Sequence, residues 1–322
     1  KLHQQFCFWL QMPAALSPDI LLSPTVVFQR KVKNMKQALR EVTAEEIETF
    51  WRDGIVCLRK ILDPQLLHDM EEPVAQLVGT SGVADLSAMG DAIAASGQDV
   101  QRGDVPTTGR GRFFAGVDHW LEHQSFRDFS CHSILPSIAG QIMQSSRIHL
   151  WEDSVLYKEP GTIERTAWHQ DMGYFHCVGD KVCTMWCPLD SVTLDSGSVR
   201  FVVGSHRWPD LYQPNLFVSS MVIPGTEGSA MPDVEAMARE NKCQIVTFDT
   251  EPGDVTIHHA RTIHGAGPNT SSRSRRAISL RYCGDDAVYL TRPGSPAKAH
   301  HHNVVEGAEL HTDDCPIVWR RD

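Results

Sequence analysis

Trp168-His169-Gln170-Asp171 is the run whose residue types and spacing point most directly to chemistry. On extended backbone, residues two apart project to one face, so His169 and Asp171 present an imidazole and a carboxylate side by side. One more imidazole would complete a two-histidine, one-carboxylate set. Such a set holds iron(II) by one face of an octahedron and leaves three positions open, whereas zinc more often recruits thiolates or a third histidine. His258, His259 and His264 lie together in a later stretch, and each is a candidate for the missing ligand. Arg275 follows His264 by eleven residues on a strand-patterned segment. A guanidinium can grip a carboxylate through two parallel hydrogen bonds.

These residues must be carried by elements the sequence can form. Thr43 and Glu46 make a capping box ahead of an apolar face of Ile47, Phe50 and Trp51, and Gly54 stops that helix. A short strand at 55–58 follows, then a helix opened by Pro64 and bent or ended by Pro73. Residues 79–112, rich in small and polar types without a sustained period, predict a mobile loop region able to serve as a lid. A further helix is predicted at 134–143. From 148 onward the pattern turns to strands, at 148–151, 155–157, 182–186, 199–203, 244–248, 255–258 and 277–282, separated by Gly, Pro, Asp and Asn turns. Helices first and short strands after predict a mainly β fold with helical additions, a double-sheet barrel. Residues 42–322 read as one domain, preceded by an extension over 1–41.

Composition narrows the partners. Asp plus Glu total 40 against 30 for Lys plus Arg, a formal net charge of -10, which disfavours nucleic acid. The apolar start, Phe6-Cys7-Phe8-Trp9-Leu10, is interrupted by Gln11 and Pro13 and predicts neither a signal peptide nor a membrane span. Nine cysteines without metal or disulfide spacing predict a reducing, intracellular and so cytoplasmic setting. Cys177, Cys183 and Cys187 read as small buried hydrophobes, and His300-His301-His302 as a solvated surface run. Lys158, on the strand approaching the His-x-Asp pair, either meets a carboxylate or points to solvent. Tyr174 and Phe175 are candidates for the wall of a substrate pocket.

Further motifs follow the first in a definite order: Asp195-Ser196-Gly197-Ser198, Phe201-Val202-Val203-Gly204-Ser205-His206, Pro252-Gly253-Asp254, His264-Gly265-Ala266-Gly267-Pro268-Asn269 and Arg275-Arg276-Ala277-Ile278-Ser279. In that order and spacing, from about Val42 to Tyr282, the sequence resembles the phytanoyl-CoA dioxygenase family of iron(II)/2-oxoglutarate oxygenases. The resemblance implies a double-stranded β-helix, or jelly roll. It implies iron held by His169, Asp171 and His264, and a 2-oxoglutarate cosubstrate whose tail pairs with Arg275. A one-residue shift of register would hand that role to Arg276. By the same match Trp186 lies near the cosubstrate and Gln170 touches the pocket, although regular alternation would turn Gln170 to the opposite face. The implied reaction uses O2, with ascorbate as a possible activator, to oxidise and most simply hydroxylate a small organic molecule or secondary metabolite. An acyl-CoA thioester is the nearest variant, with Arg102, Arg110 and Arg112 for its phosphates. A protein-modifying oxygenase and a non-catalytic jelly-roll binding module are the other readings.

Overall fold

The Thr43 capping box forms as the sequence predicts. In the computed structural model, which describes residues 37–103 and 109–321, the Thr43 hydroxyl accepts from the Glu46 N–H at 3.2 Å and the Glu46 carboxylate accepts from the Thr43 N–H at 2.9 Å. Helix Ala44–Asp53 ends at Gly54, whose φ of 76° is left-handed and whose missing Cβ leaves room for the His206 ring. Most of the expected 1–41 extension lies outside the described residues.

Two helices, Pro64–His68 and Glu71–Leu77, stand where one was expected. Pro73 is third in the second of them, where its missing N–H would have had no intrahelical partner anyway. The predicted loop 79–112 also contains a helix, Leu86–Ala95. Asp85 caps it by accepting from the N–H groups of Ser87 and Ala88, and Leu86, Gly90 and Ile93 are buried at helical spacing. An alanine-rich text hides this amphipathic face, because the buried stripe includes a glycine.

The strands, in chain order, are β1 Ile55–Leu58, β2 Ala84–Asp85, β3 Phe113–Val117, β4 Arg147–Lys158, β5 Thr166–His169, β6 Cys177–Val178 and β7 Val182–Pro188. They continue as β8 Val199–Val202, β9 Ile245–Thr247, β10 Val255–His259, β11 His264–Ala266, β12 Arg275–Cys283, β13 Val288–Tyr289 and β14 Ile317–Arg320. The two segments predicted at 148–151 and 155–157 are one long strand, β4. The larger sheet runs β1-β10-β7-β12-β4-β3-β2 with β14 also on β4, the smaller runs β5-β11-β8-β9, and β13 pairs β6. Every one of these pairings is antiparallel. The fold is the expected jelly roll.

Side-chain parity divides the larger sheet. Val255 and Ile257 of β10, Cys183, Met185 and Cys187 of β7, and Ile278, Leu280 and Tyr282 of β12 pack with Phe50, Leu67, Val74 and Ile138 of the helices in one core. Fully burying a side chain of this size is worth roughly 1.5–3 kcal/mol. Thr256 and His258, Thr184 and Trp186, and Arg275, Ser279 and Arg281 therefore face the other way, between the two sheets. Cys177, Cys183 and Cys187 are buried and free, as expected. Among the described residues, no helix is long and apolar enough to cross a membrane.

One buried charge opposes this packing. The Asp153 carboxyl on β4 is fully buried, accepts one hydrogen bond from the Trp120 N–H at 3.3 Å, and has no partner at Oδ2. Burial, with the nearby Asp118 carboxylate, pushes it up to about 7. Its folded value thus lies above the unfolded value of about 3.9. Its contribution is fully favourable below the unfolded value and is lost as pH rises through about 7. Asp153→Asn keeps the acceptor for Trp120 and removes the charge. The expected outcome is a melting-temperature gain at pH 8 that shrinks by pH 4.5, read by calorimetry; an equal shift at both would contradict this account.

Candidate active site

His169 closes β5, and its strand neighbour directly across the smaller sheet is His264 of β11. The two rings lie with centroids 4.2 Å apart. Gly265 follows because β11 is squeezed between β5 and β8: a Cβ there would come within 2.8 Å of the Thr166 carbonyl. Asp171 is not on the strand itself. Gln170 is still extended, and Asp171 begins a short 3-10 turn, Asp171–Gly173, so the expected two-residue alternation holds across that junction.

His169 Nδ1 lies 2.8 Å from the Ala167 carbonyl and His264 Nδ1 lies 2.9 Å from the Thr262 carbonyl. Each Nδ1–H donates to the backbone two residues earlier, which leaves the Nε2 lone pairs aimed inward. Those Nε2 atoms stand 3.6 Å and 3.8 Å from Asp171 Oδ1. Both separations are under twice the roughly 2.1 Å bond that a divalent first-row ion makes to nitrogen or oxygen. The donor set fits such an ion, and His169, Asp171 and His264 are the cluster of metal-capable side chains among the described residues.

Asp171 Oδ2 accepts from the Thr184 hydroxyl at 2.5 Å and is approached by His258 Nε2 at 3.3 Å. Burial alone would raise the Asp171 carboxyl, but His264, His169, His258 and Arg281 outweigh it and hold it well below the usual carboxylate range. Burial, reinforced by His169 and His258, pushes His264 well below the ordinary imidazole value. The three candidate histidines separate by parity and register. His264 faces His169, and His258 meets the other oxygen of Asp171. His259 turns to the helix side, with Nε2 2.8 Å from the Asp180 carbonyl.

Two lobes of one cavity meet at His169. The inner lobe is lined by Trp186, His264, Ala266 and Arg275. Arg275 is 1% exposed, lies 5.8 Å from the Trp186 ring centroid, and makes no ion pair among the described residues. Its one hydrogen bond is a long 3.5 Å contact to the Leu156 carbonyl, and its Nε has no partner. Burial lowers it to about 10. Arg276, on the opposite face, is paired with Asp190 at 2.6 Å and Glu71 at 3.2 Å. Arg275 is therefore the arginine that faces the cavity.

The outer lobe is lined by Trp151, Tyr174, Phe175 and Phe217 with the polar groups Glu152, Ser154, Arg281 and Lys298. Tyr174 and Phe175 wall it as expected. Phe217 was not foreseen: it adopts φ 66°, with its N–H bonded to Asn215 Oδ1 at 2.9 Å, and no local sequence signal marks that conformation. Arg281 was legible in principle, six residues beyond Arg275 and so of the same parity.

Several expectations are corrected. Lys158 neither meets a carboxylate nor reaches solvent: it is fully buried, and its ammonium donates to the carbonyls of Glu164 at 2.9 Å and Gly267 at 2.6 Å. Gln170 does not line the cavity. Its amide donates to the Arg261 carbonyl at 2.7 Å and accepts from the Tyr212 N–H at 3.1 Å, tying two loops together as strand alternation demands. Arg102 and Arg110 are engaged by Asp91 and Glu164, and Arg112 by Glu159. None of the described residues in 79–112 lines either lobe. In the His300-His301-His302 run His302 is exposed as expected, but His301 is half-buried, its ring packed edge-on against Trp151 at 4.9 Å.

The phytanoyl-CoA dioxygenase family model matches residues 50–277. Among curated proteins the chain is 24% identical over 189 residues to a probable alpha-ketoglutarate-dependent hypophosphite dioxygenase of Stutzerimonas stutzeri, covering 57% of this chain and 58% of that protein. It is 26% identical to a probable phytanoyl-CoA dioxygenase of Caenorhabditis elegans, covering 45% of each. A 2-aminoethylphosphonate dioxygenase from an uncultured bacterium is 23% identical, covering 74% of this chain and 80% of that one. The chain thus spans about half the length of the first two. In fold it is similar to SnoN, a non-heme alpha ketoglutarate dependent epimerase from nogalamycin biosynthesis, with a TM-score of 0.61 at 23% identity, covering 85% of this chain and 98% of that one. It is likewise similar to EctD from S. alaskensis, solved with 2-oxoglutarate and 5-hydroxyectoine, at a TM-score of 0.55 and 17% identity over 85% and 95% of the two chains.

The geometry separates candidate ligands from their supports. In calorimetric titration with cobalt(II), His169→Ala, Asp171→Ala and His264→Ala are expected to abolish one-to-one binding. His258→Ala and Thr184→Val should keep the stoichiometry and weaken affinity about 10- to 100-fold, as loss of a ligand's hydrogen-bond support does. Equal loss in His258→Ala and His264→Ala would refute the division.

Proposed function

The chain belongs to the phytanoyl-CoA dioxygenase family, and from that premise we propose that residues 42–322 form an iron(II)- and 2-oxoglutarate-dependent dioxygenase that hydroxylates a C–H bond of a small organic molecule. One observation carries the reading above all. Arg275 is a buried guanidinium without a carboxylate partner among the described residues, at the far end of a cavity whose middle holds His169, Asp171 and His264. An uncompensated buried charge is strongly destabilising, so the pocket is built for an anion to complete it.

In this reading His169 Nε2, an Asp171 oxygen and His264 Nε2 hold the metal, and Arg275 pairs with the C5 carboxylate of 2-oxoglutarate. Bound together, iron(II) and 2-oxoglutarate would activate O2, the oxidant, so that two of the four electrons it takes up come from oxidation of 2-oxoglutarate to succinate and carbon dioxide and two from one C–H bond of the substrate. Thr184 and His258 keep the Asp171 carboxylate oriented, and the Ala167 and Thr262 carbonyls keep both imidazoles in the ligating tautomer. Trp186 covers the Arg275 guanidinium and helps exclude water, which strengthens its attraction for a carboxylate. Trp151, Tyr174, Phe175 and Phe217 give the substrate side an apolar wall.

The mainly apolar lining of the outer lobe, with a few polar groups, suits a small organic molecule. An acyl-CoA thioester is disfavoured, because Arg102, Arg110 and Arg112 are already matched with Asp91, Glu164 and Glu159. A non-catalytic binding module has no need of a buried triad and an unpaired buried arginine together.

With iron(II), ascorbate and 2-oxoglutarate, the purified protein is expected to form succinate slowly without substrate and faster when a metabolite library supplies one. His169→Ala and Asp171→Ala should lose that turnover, and turnover equal to the parent would sink the proposal. Arg275→Gln should raise the KM for 2-oxoglutarate about tenfold to a hundredfold, the worth of a charge-assisted hydrogen bond, read by succinate release.

A further inference from the structure

Three charged groups of the cavity, Glu152, Arg281 and Lys298, have no task in the chemistry above, and of these Arg281 also lines the inner lobe. Arg281 is 8% exposed and lines both lobes. On β12 it stands opposite Thr184, whose hydroxyl holds Asp171, so it sits at the level of the triad while Arg275 lies six residues away toward the far end of the inner lobe. Its hydrogen bonds run from Nη1 alone, to the Ser154 hydroxyl and to the Ser279 carbonyl at 3.4 Å. Nε is buried 3.5 Å from Glu152 Oε1 and has no hydrogen-bond partner. The Glu152 carboxylate is itself gripped by Lys298, which also donates to Asp118 at 2.8 Å. Glu152 therefore orients the guanidinium without using up its donors.

The Nε–Nη2 edge of an arginine is one that an oxyanion takes through two parallel charge-assisted bonds. Unmet donors on a guanidinium this deeply buried oppose folding until a ligand satisfies them. Glu152 is ion-paired with this edge at 3.5 Å, its own charge met by Lys298, and the wall of the outer lobe beyond it is mainly apolar, with Trp151, Tyr174, Phe175 and Phe217; Trp151 Nε1 also lacks a hydrogen-bond partner.

We propose that Arg281 anchors an oxyanion of the substrate, so that the substrate is a small molecule with an apolar body and a carboxylate or phosphoryl group held beside the metal. This rests on the oxygenase reading, which assigns the inner lobe to 2-oxoglutarate and the outer lobe to substrate. With Arg275 and Arg281 on one strand, each anion has its own arginine, and the C–H bond to be oxidised lies in the apolar span between Arg281 and Phe217.

The test uses the full chain with cobalt(II) and 2-oxoglutarate under nitrogen, titrated with benzoate, hexanoate and phenylphosphonate and with the neutral isosteres benzamide and hexanamide. The parent is expected to bind at least one of the anions about tenfold or more tightly than the isosteres, the worth of a charge-assisted hydrogen bond. Arg281→Gln should abolish that preference, and Arg281→Lys, which keeps the charge should the first variant fold poorly, should retain part of it. Thermal melts of both variants without ligand report whether they fold. The proposal is overturned if the parent shows no preference for the anions, if the preference survives in Arg281→Gln, or if the loss is confined to affinity for 2-oxoglutarate. That last result would assign the oxyanion to the cosubstrate's own C1 carboxylate. Failure of the oxygenase reading shows separately, as absence of succinate from the iron(II)-loaded parent.

Discussion

Alternation of side chains across one antiparallel sheet governs both the stability of this protein and its chemistry. Along β7, β10 and β12, one parity is apolar and packs beneath the helices, and the other carries Thr184, Trp186, His258, Arg275 and Arg281 into the space between the sheets. The hydrophobic face leaves no freedom of register: a slip of one residue would bury Arg276 in place of Arg275 and expose Ile278. The helices at the amino-terminal side therefore serve the site at a distance, by holding the register of the strands that line it.

The cavity is electrostatically unusual because the fold buries charges before their partners arrive. Asp171 lies among three imidazoles, accepts from the Thr184 hydroxyl, and is held well below the usual carboxylate range. Arg275 stands at the other end with aromatic cover and no counter-ion among the described residues. Elsewhere the chain pairs its buried cations: Lys158 with two carbonyls, and Lys298 with Glu152 and Asp118. Against that background the open donors of Arg275 and Arg281 stand out, both on the metal-facing side of a single strand.

Local geometry explains which readings of the sequence held. The capping box at Thr43 and the stop at Gly54 depend on contacts within a few residues and appear as the text predicts, and β1, β7, β10 and β12 lie where local alternation marks them, whereas β2, β3 and β14 were not foreseen. The helix at Leu86–Ala95 was missed because its buried stripe runs through Gly90, which carries no hydrophobic signal. Lys158 and Gln170 were misjudged for a different reason. Their types suggest a cosubstrate pocket, but Lys158 donates to the carbonyls of nearby Glu164 and distant Gly267, and Gln170 bonds to backbone on two loops distant in the chain.

What the sequence determined by itself was the pairing of His169 with Asp171, because a two-residue spacing on extended backbone needs nothing beyond the strand to bring the two side chains together. It also determined the family and the jelly-roll class, through the order of several motifs. Only the tertiary structure decided that His264 faces His169 while His258 backs Asp171 and His259 turns away, since those relations depend on which strands pair and in what register. The same holds for the outer lobe, where Glu152, Phe217, Arg281 and Lys298 converge from four separate segments. Contacts between residues so far apart in the chain are set by how the sheets close on one another, which no local pattern encodes.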